Sequence, residues 1–249
     1  ASVPWEALEN RSILITGASG LIGSQIIKAL ACRNRLFNSN IKIYAYARNL
    51  DKAKKVLSEI SEHKCLEFFI GDISQTFDTE KDIDYIIHTA SATASKEFVT
   101  KPVEVINTTL AGTRNILELA KKKKSKGVVY LSSMEAFGVV QASTKKSTEN
   151  DLGQIDLSNP RSCYPESKRM AECLCAAYAS EYEIPVKIAR LSQTFGAGIS
   201  YAENRVFAQF AKAVIEDRDI VLHTKGLSWG NYCYTRDTVI ALLILLSKG

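Results

Sequence analysis

The stretch Ser12-Ile13-Leu14-Ile15-Thr16-Gly17-Ala18-Ser19-Gly20-Leu21-Ile22-Gly23 decides the fold. Its first five residues read as a short buried strand. Glycines 17, 20 and 23 follow at once, and an amphipathic helix opens near Leu21 and runs to about Cys32. Glycine lets the backbone turn tightly and lets an anion approach it closely. A helix opening at that turn presents unpaired N–H groups and the positive end of its dipole. Strand, glycine turn and helix in this order predict a pyrophosphate cradle built from Gly17, Ser19, Gly20, Leu21, Ile22 and Gly23.

The alternation continues outward from there. Residues 41–47 (IKIYAYA) read as a second strand, followed by a charged helix from about Leu50 to Ile60. Residues 66–70 and 85–88 are further apolar runs bounded by Gly71 and Asp84. Pro102 opens a helix at a first-turn position, and Val103, Ile106, Leu110, Leu117 and Ala120 follow at helical spacing. A strand over 127–132, a helix over 164–182 and a strand over 186–191 complete the series. Strands that are apolar throughout, separated by helices, predict an α/β doubly wound parallel sheet, a Rossmann domain over residues 1–195. Ligands in such sheets bind at the carboxyl ends of the strands. Residues 138–160, rich in Ser, Thr, Lys and Asn, read as a surface loop near that edge. After Gly196 a helix over 205–216, a short strand over 220–223 and an apolar helix predict a partial substrate-binding lobe over residues 196–249. That lobe reads as incomplete, because an apolar helix with only Ser247-Lys248-Gly249 after it suggests further polypeptide.

Composition excludes several classes. An apolar fraction of 46% and a charged fraction of 24% over 249 residues describe an ordinary globular protein with a sizeable core. A net charge of +5 is too mild to argue for nucleic acid. The six cysteines and three histidines follow no metal-ligand spacing, so no metal is expected and the thiols read as free in a reducing compartment. There is no basic-then-apolar leader, and the longest apolar run, residues 239–246, is too short to span a bilayer; the expected location is cytoplasmic. Lys121 to Lys124 read as a solvated helix end complementing the dipole.

The second informative run is Cys163-Tyr164-Pro165-Glu166-Ser167-Lys168. Tyr164 and Lys168 are four apart on a helix and share one face. An ammonium beside a phenol favours the phenolate and lowers a pKa that starts near ~10, which makes tyrosine a usable acid or base. The same spacing also arises between unrelated surface residues.

The G-x-x-G-x-x-G spacing together with Tyr164-x-x-x-Lys168 resembles the extended branch of the short-chain dehydrogenase/reductase superfamily, and within it the NAD-dependent epimerases and dehydratases of sugar nucleotides. Other segments carry the resemblance. Gly71-Asp72-Ile73 resembles a turn whose aspartate contacts adenine. The stretch from Asp84 through His88 to Ala90, Ser91 and Ala92 resembles a strand end beside the cofactor. Pro102-Val103-Glu104, Asn107 and Ala111-Gly112-Thr113 resemble a P-x-E…N…G-T helix, which makes Asn107 a catalytic and cofactor-binding candidate. Arg190 to Gly196 resembles R-x-x-N-x-Y-G, with Gln193 at the asparagine that touches the sugar nucleotide in many relatives.

The resemblance implies roles. Tyr164 exchanges a proton with a sugar or alcohol oxygen, Lys168 keeps the phenol acidic and holds the nicotinamide ribose, and Ser133 orients the oxygen. Ser132 supports the strand end. Glu135 stands where dehydratases and decarboxylases carry a second base; a solvent-facing glutamate is the equal alternative. Met134 replaces the aspartate of the hexose 4,6-dehydratases, and Gly230 replaces an arginine that binds the nucleotide phosphates, with Arg205 and Arg236 nearby. The second strand ends in Arg48 without an acid, which favours NADP over NAD. A homodimer through helices 102–123 and 164–182 is also implied. The expected function is an NAD(P)-dependent epimerase or dehydratase acting on a nucleoside-diphosphate sugar by transient hydride transfer. The alternatives are an NADPH-dependent carbonyl reductase and a catalytically inactive NAD(P)-binding scaffold.

Overall fold

The computed structural model describes residues 2–92, 95–140, 147–222, 225–226 and 230–249. Its main sheet joins β1 (Ser12–Thr16), β2 (Lys42–Ala47), β3 (Leu66–Ile70), β4 (Tyr85–His88), β5 (Gly127–Ser133) and β6 (Val186–Leu191). All pairings are parallel, in the order β3-β2-β1-β4-β5-β6. The direction of winding reverses at β1, whose Thr16 lies opposite Tyr46 on β2 and His88 on β4. A crevice opens at that point because the loops leaving β1 and β4 turn to opposite faces.

Alternation of side chains sorts the core into two layers. Ile13 and Ile15 face α1 (Leu21–Phe37), meeting Ile26, Ile27 and Leu30. Leu14 and Ile86 face the other way, onto Ile116, Leu119 and Ala120 of α4 (Pro102–Lys123). Between these helices in sequence lie α2 (Leu50–Val56) and α3 (Ser95–Thr100). On the second face α4 packs beside α5 (Cys163–Tyr182). Each fully buried Leu or Ile contributes roughly 1.5–3 kcal/mol, so these layers supply most of the driving force.

Several ends are closed by side chains. Asn34 brackets Ile41, accepting from its N–H and donating to its carbonyl, both at 2.8 Å, which fixes the entry to β2. α4 ends on Lys124 in the left-handed conformation, φ 50°. The lysine run there is a helix end, as expected, with Lys122 paired to Asp78 and Lys121 over the Tyr182 ring.

The C-terminal region departs from expectation. A second sheet pairs β7 (Gln193–Phe195) with β8 (Tyr232–Tyr234), neither of which the apolar pattern marks. The helix expected over 205–216 is α6 (Val206–Ile215). Residues 220–222 carry no strand, and His223 lies outside the described residues. Val239, Leu242, Leu243 and Leu246 of the last helix, α7 (Thr235–Lys248), join the α1 face of the main core.

Beneath the sheet's carboxyl edge lies a buried charge pair. Arg190 of β6 donates to Glu172 of α5 at 2.6, 2.9 and 3.1 Å and to the carbonyl of Glu149 at 2.8 Å. Ser132 donates to the same carboxylate. Removing one partner of such a pair strands the other charge. Arg190→Met is expected to lower unfolding free energy by about 3 kcal/mol in urea titrations, and Glu172→Leu added to it to recover most of the loss.

Candidate active site

The glycine turn has no room for side chains at Gly17 and Gly23. Gly17 sits at φ 68°, and a Cβ there would lie 2.7 Å from Thr89 Oγ1 and 2.9 Å from the Ala90 nitrogen. A Cβ on Gly23 would lie 2.5 Å from the Gly17 carbonyl oxygen. β1, the turn and α1 are therefore in backbone contact. Gly20 opens α1 in extended conformation, with no side-chain cap and no acid in the first turn. Its first N–H groups and the dipole end thus face the turn, which suits a pyrophosphate.

Thr16 locks the turn to β4. Its hydroxyl accepts from the Ala90 N–H at 3.1 Å and lies 2.7 Å from His88 Nδ1, while Thr89 donates to the Thr16 carbonyl at 2.6 Å. Burial holds His88 neutral, its pKa pushed down to about 3, with Lys168 adding to the effect. It is a strut between strands. No cluster among the described residues has the ligands for a metal ion.

The candidates for the adenosine side lie at the ends of β2 and β3. Arg48 is exposed and no acid closes β2. Asp72 accepts from the N–H and hydroxyl of Ser74 at 2.8 and 2.7 Å, and these bonds, with the charge of Arg48 added, hold its carboxyl below the usual range. Ile73 offers no open face. Its side chain is buried under Gly112 and its carbonyl accepts from Asn115 at 2.9 Å. Ala90, Ser91 and Ala92 lie half-buried beyond β4, between the glycine turn and Tyr164. Ala92 packs on the cluster of Phe98, Val105, Cys163 and Tyr164.

The candidate catalytic residues gather at the carboxyl end of β5. Ser133 closes that strand, and its Oγ accepts from the Glu135 N–H at 3.2 Å, opening the 3-10 turn Met134–Phe137. Tyr164 is buried, its ring stacked on Phe98 with centroids 4.4 Å apart. Lys168 is buried too, and Nζ donates to the Leu131 carbonyl at 2.7 Å. Ser132, pinned to Glu172, does support the strand from behind.

Electrostatics correct one expectation. Burial raises the Tyr164 phenol above its ordinary value, more than its hydrogen bond with Ser133 lowers it; Glu135 adds to the rise and Arg161 opposes it. Lys168 is not among the causes; its ammonium lies 5.7 Å from the phenol ring centroid and donates to the Leu131 carbonyl. Desolvation brings the lysine itself down to about 8. Without ligands the phenol is therefore the proton-holding form.

Asn107 is a second correction. It is exposed, whereas Val105 and Thr109, two residues to either side, are buried toward Tyr164 and the core. Two helical residues are 200° apart, so Asn107 faces away from the site. Arg205 pairs with Glu203 at 2.8 Å and the exposed Arg236 lies 3.5 Å from Asp237, so both nearby arginines have local partners. Gly230 is exposed. The Gln193 Oε1 atom is buried with no hydrogen-bond partner among the described residues.

Two residues at the site carry no sequence signal. Arg161 donates to both oxygens of Glu135, at 3.0 and 3.3 Å, and its guanidinium lies over the Phe98 ring, 5.1 Å from the centroid. Glu135 is thus ion-paired and half-buried, with 33% of its side chain exposed. Only the fold brings Phe98 and Arg161 together, since 63 residues separate them.

With this geometry in view, the relatives are informative. UDP-glucuronic acid decarboxylase 6 of Arabidopsis thaliana is 27% identical over 95% of the chain and 66% of its own length. A dTDP-D-glucose 4,6-dehydratase of Dictyostelium discoideum is 29% identical over 96% of the chain and 56% of its own. The chain thus spans between about half and two thirds of these relatives. The crystal structure of dTDP-glucose 4,6-dehydratase from Bacillus anthracis, in complex with NAD, superposes with a TM-score of 0.77 at 22% identity, over 96% of the chain and 72% of that protein. That likeness shows the shared fold. The model of the NAD dependent epimerase/dehydratase family matches residues 13–249, and the chain belongs to that family.

Proposed function

We propose that the protein is an epimerase or dehydratase acting on a nucleoside-diphosphate sugar by transient hydride transfer, with a tightly held nicotinamide dinucleotide. The observation that carries this reading is the convergence of Ser133, Glu135, Tyr164 and Lys168 at the end of β5, on the edge that holds the glycine turn. The matched relatives include UDP-glucuronic acid decarboxylases and dTDP-D-glucose 4,6-dehydratases, which supports a sugar nucleotide as the substrate class.

The cradle fits a dinucleotide because side chains are excluded at Gly17 and Gly23 and the first turn of α1 carries no acid. Gly17, Ser19, Gly20, Leu21, Ile22 and Gly23 would hold the pyrophosphate, with Asp72 toward the adenine and Tyr164 and Lys168 toward the nicotinamide ribose. When bound, the cofactor supplies the hydride acceptor and a positive charge. Ser133 orients the substrate oxygen and Tyr164 exchanges its proton with that oxygen. Phe98 and Val105 exclude water behind the phenol. Glu135 is the carboxylate placed to meet the carbon next to the oxidised one, where a C–H becomes acidic.

NADP rather than NAD as the cofactor rests on Arg48 alone, since the solved relative described above carries NAD. An exposed guanidinium with no acid closing β2 suits a 2′-phosphate. The homodimer reading rests on α4 and α5 lying side by side with Val103, Ile106 and Met170 exposed.

The reading is tested by incubating the protein with UDP-, dTDP-, GDP- and CDP-sugars without added reductant. One should be converted, and Tyr164→Phe should abolish that conversion while cofactor binding, followed by fluorescence, survives. No turnover of any sugar with cofactor bound would sink it.

For the cofactor, Arg48→Asp is expected to weaken NADP binding by about tenfold or more and to leave NAD binding unchanged or improved, by calorimetry. Equal losses for both would remove the NADP preference.

Lys168 gives a pH signature. Its folded pKa, about 8, lies below the 10.5 of the unfolded chain, so the unfolded state binds more protons between those values and stability rises with pH there. The penalty for burying the ammonium is complete below pH 8 and fades by 10.5. Relative to Lys168→Met, wild type should gain about 3 kcal/mol across that window, at about 1.4 kcal/mol per pKa unit, in urea melts without cofactor.

A further inference from the structure

Arg161 has no role in the reaction outlined above, yet three groups are ordered through it. Its guanidinium takes both Glu135 oxygens, at 3.0 and 3.3 Å. The same group lies over Phe98, and Phe98 lies flat against the Tyr164 ring, 12° from parallel. Carboxylate, guanidinium, phenyl and phenol form one contiguous stack across the site. Its position is fixed locally as well. Arg161 occupies the 3-10 turn Pro160–Ser162, where Asn159 accepts from its N–H at 3.0 Å. The ion pair therefore ties the turn after β5, which carries Ser133, to the turn before α5, which carries Tyr164.

We propose that Arg161 is a positioning residue: it holds the Glu135 carboxylate at the substrate edge and cancels its charge in front of the Tyr164 phenol. The assignment rests on Tyr164 being the proton-exchanging group of the proposed reaction. A lone carboxylate beside a buried phenol would lock the proton on oxygen, and a lone guanidinium would draw it off. Held together, the two charges leave the phenol's affinity to its burial and to Ser133. Among the described residues, the charged and titratable groups facing Tyr164 are Tyr130 from β5, Glu135 from the turn after it, Arg161 from the turn before α5, and Cys163 and Lys168 from α5 itself. α3 and α4 contribute only Phe98 and Val105 to its cluster. Glu135 raises the phenol's pKa and Arg161 lowers it, as the geometry requires.

The test is a phenolate absorbance titration of the protein without sugar, each variant measured against its own Tyr164→Phe partner. Arg161→Gln should move the Tyr164 midpoint to higher pH, Glu135→Gln should move it to lower pH, and the double variant should return close to wild type. With converted sugar in hand, Arg161→Gln should also lower kcat by about tenfold with little change in KM, and Arg161→Lys should restore most of it. An unmoved midpoint in folded Arg161→Gln protein overturns the proposal. Where that variant does not fold, Glu135→Gln decides alone, and an unmoved midpoint there overturns it equally. Because the titration needs no substrate, it judges Arg161 even if the sugar panel fails.

Discussion

The hydrogen bond from Lys168 Nζ to the Leu131 carbonyl sets how α5 lies on the sheet, and the site follows from it. The helix runs against the strand direction. Four residues back along it cover about 6 Å, close to the length of two strand residues. Fixing Lys168 over Leu131 therefore brings Tyr164 level with Ser133. The strand in turn is held in register on both sides, with Tyr130 opposite His88 and Ile188. One buried ammonium thus aligns a hydroxyl and a phenol that are 31 residues apart.

That arrangement costs stability. An ammonium inside the protein is disfavoured, which is why Lys168 falls to about 8, and its own bond to Leu131 offsets only part of the loss. The Glu172–Arg190 pair behind it is of the same kind, useful for placing Ser132 and the segment at Glu149 more than for stability. The two aliphatic layers over the sheet carry these charges. Polar groups concentrate where β1, β4 and β5 end, and apolar ones fill the rest.

Most of the sheet was legible in the sequence because a buried parallel strand has to be apolar on both faces. β1, β3, β4 and β6 begin and end where the apolar runs do. The short elements were not legible. β7 and β8 have three residues each and join through Phe195, Tyr232 and Tyr234, whose rings meet near 6 Å, so no alternating aliphatic pattern announces them. α7 reads as an apolar helix in either setting, and only its contacts with the α1 face show which core it completes.

The site was legible in its residue types and less so in its geometry. Spacing along a helix fixes angles between residues on that helix but not the direction in which the set points. Tyr164 and Lys168 were safe, because both lie on one helix and their mutual angle was the inference. Asn107 was not, because its use required the absolute phase of α4, and the buried face runs through Val105 and Thr109 instead. The direction of the Tyr164 shift failed for a related reason: proximity in sequence says nothing about where an ammonium points or how dry its surroundings are. Desolvation outweighs a charge aimed elsewhere. Arg161 was invisible on both counts, since its partner lies 26 residues upstream and its ring contact 63. What a sequence omits at such a site is mainly the counter-charge, because a counter-charge is defined by distance in space.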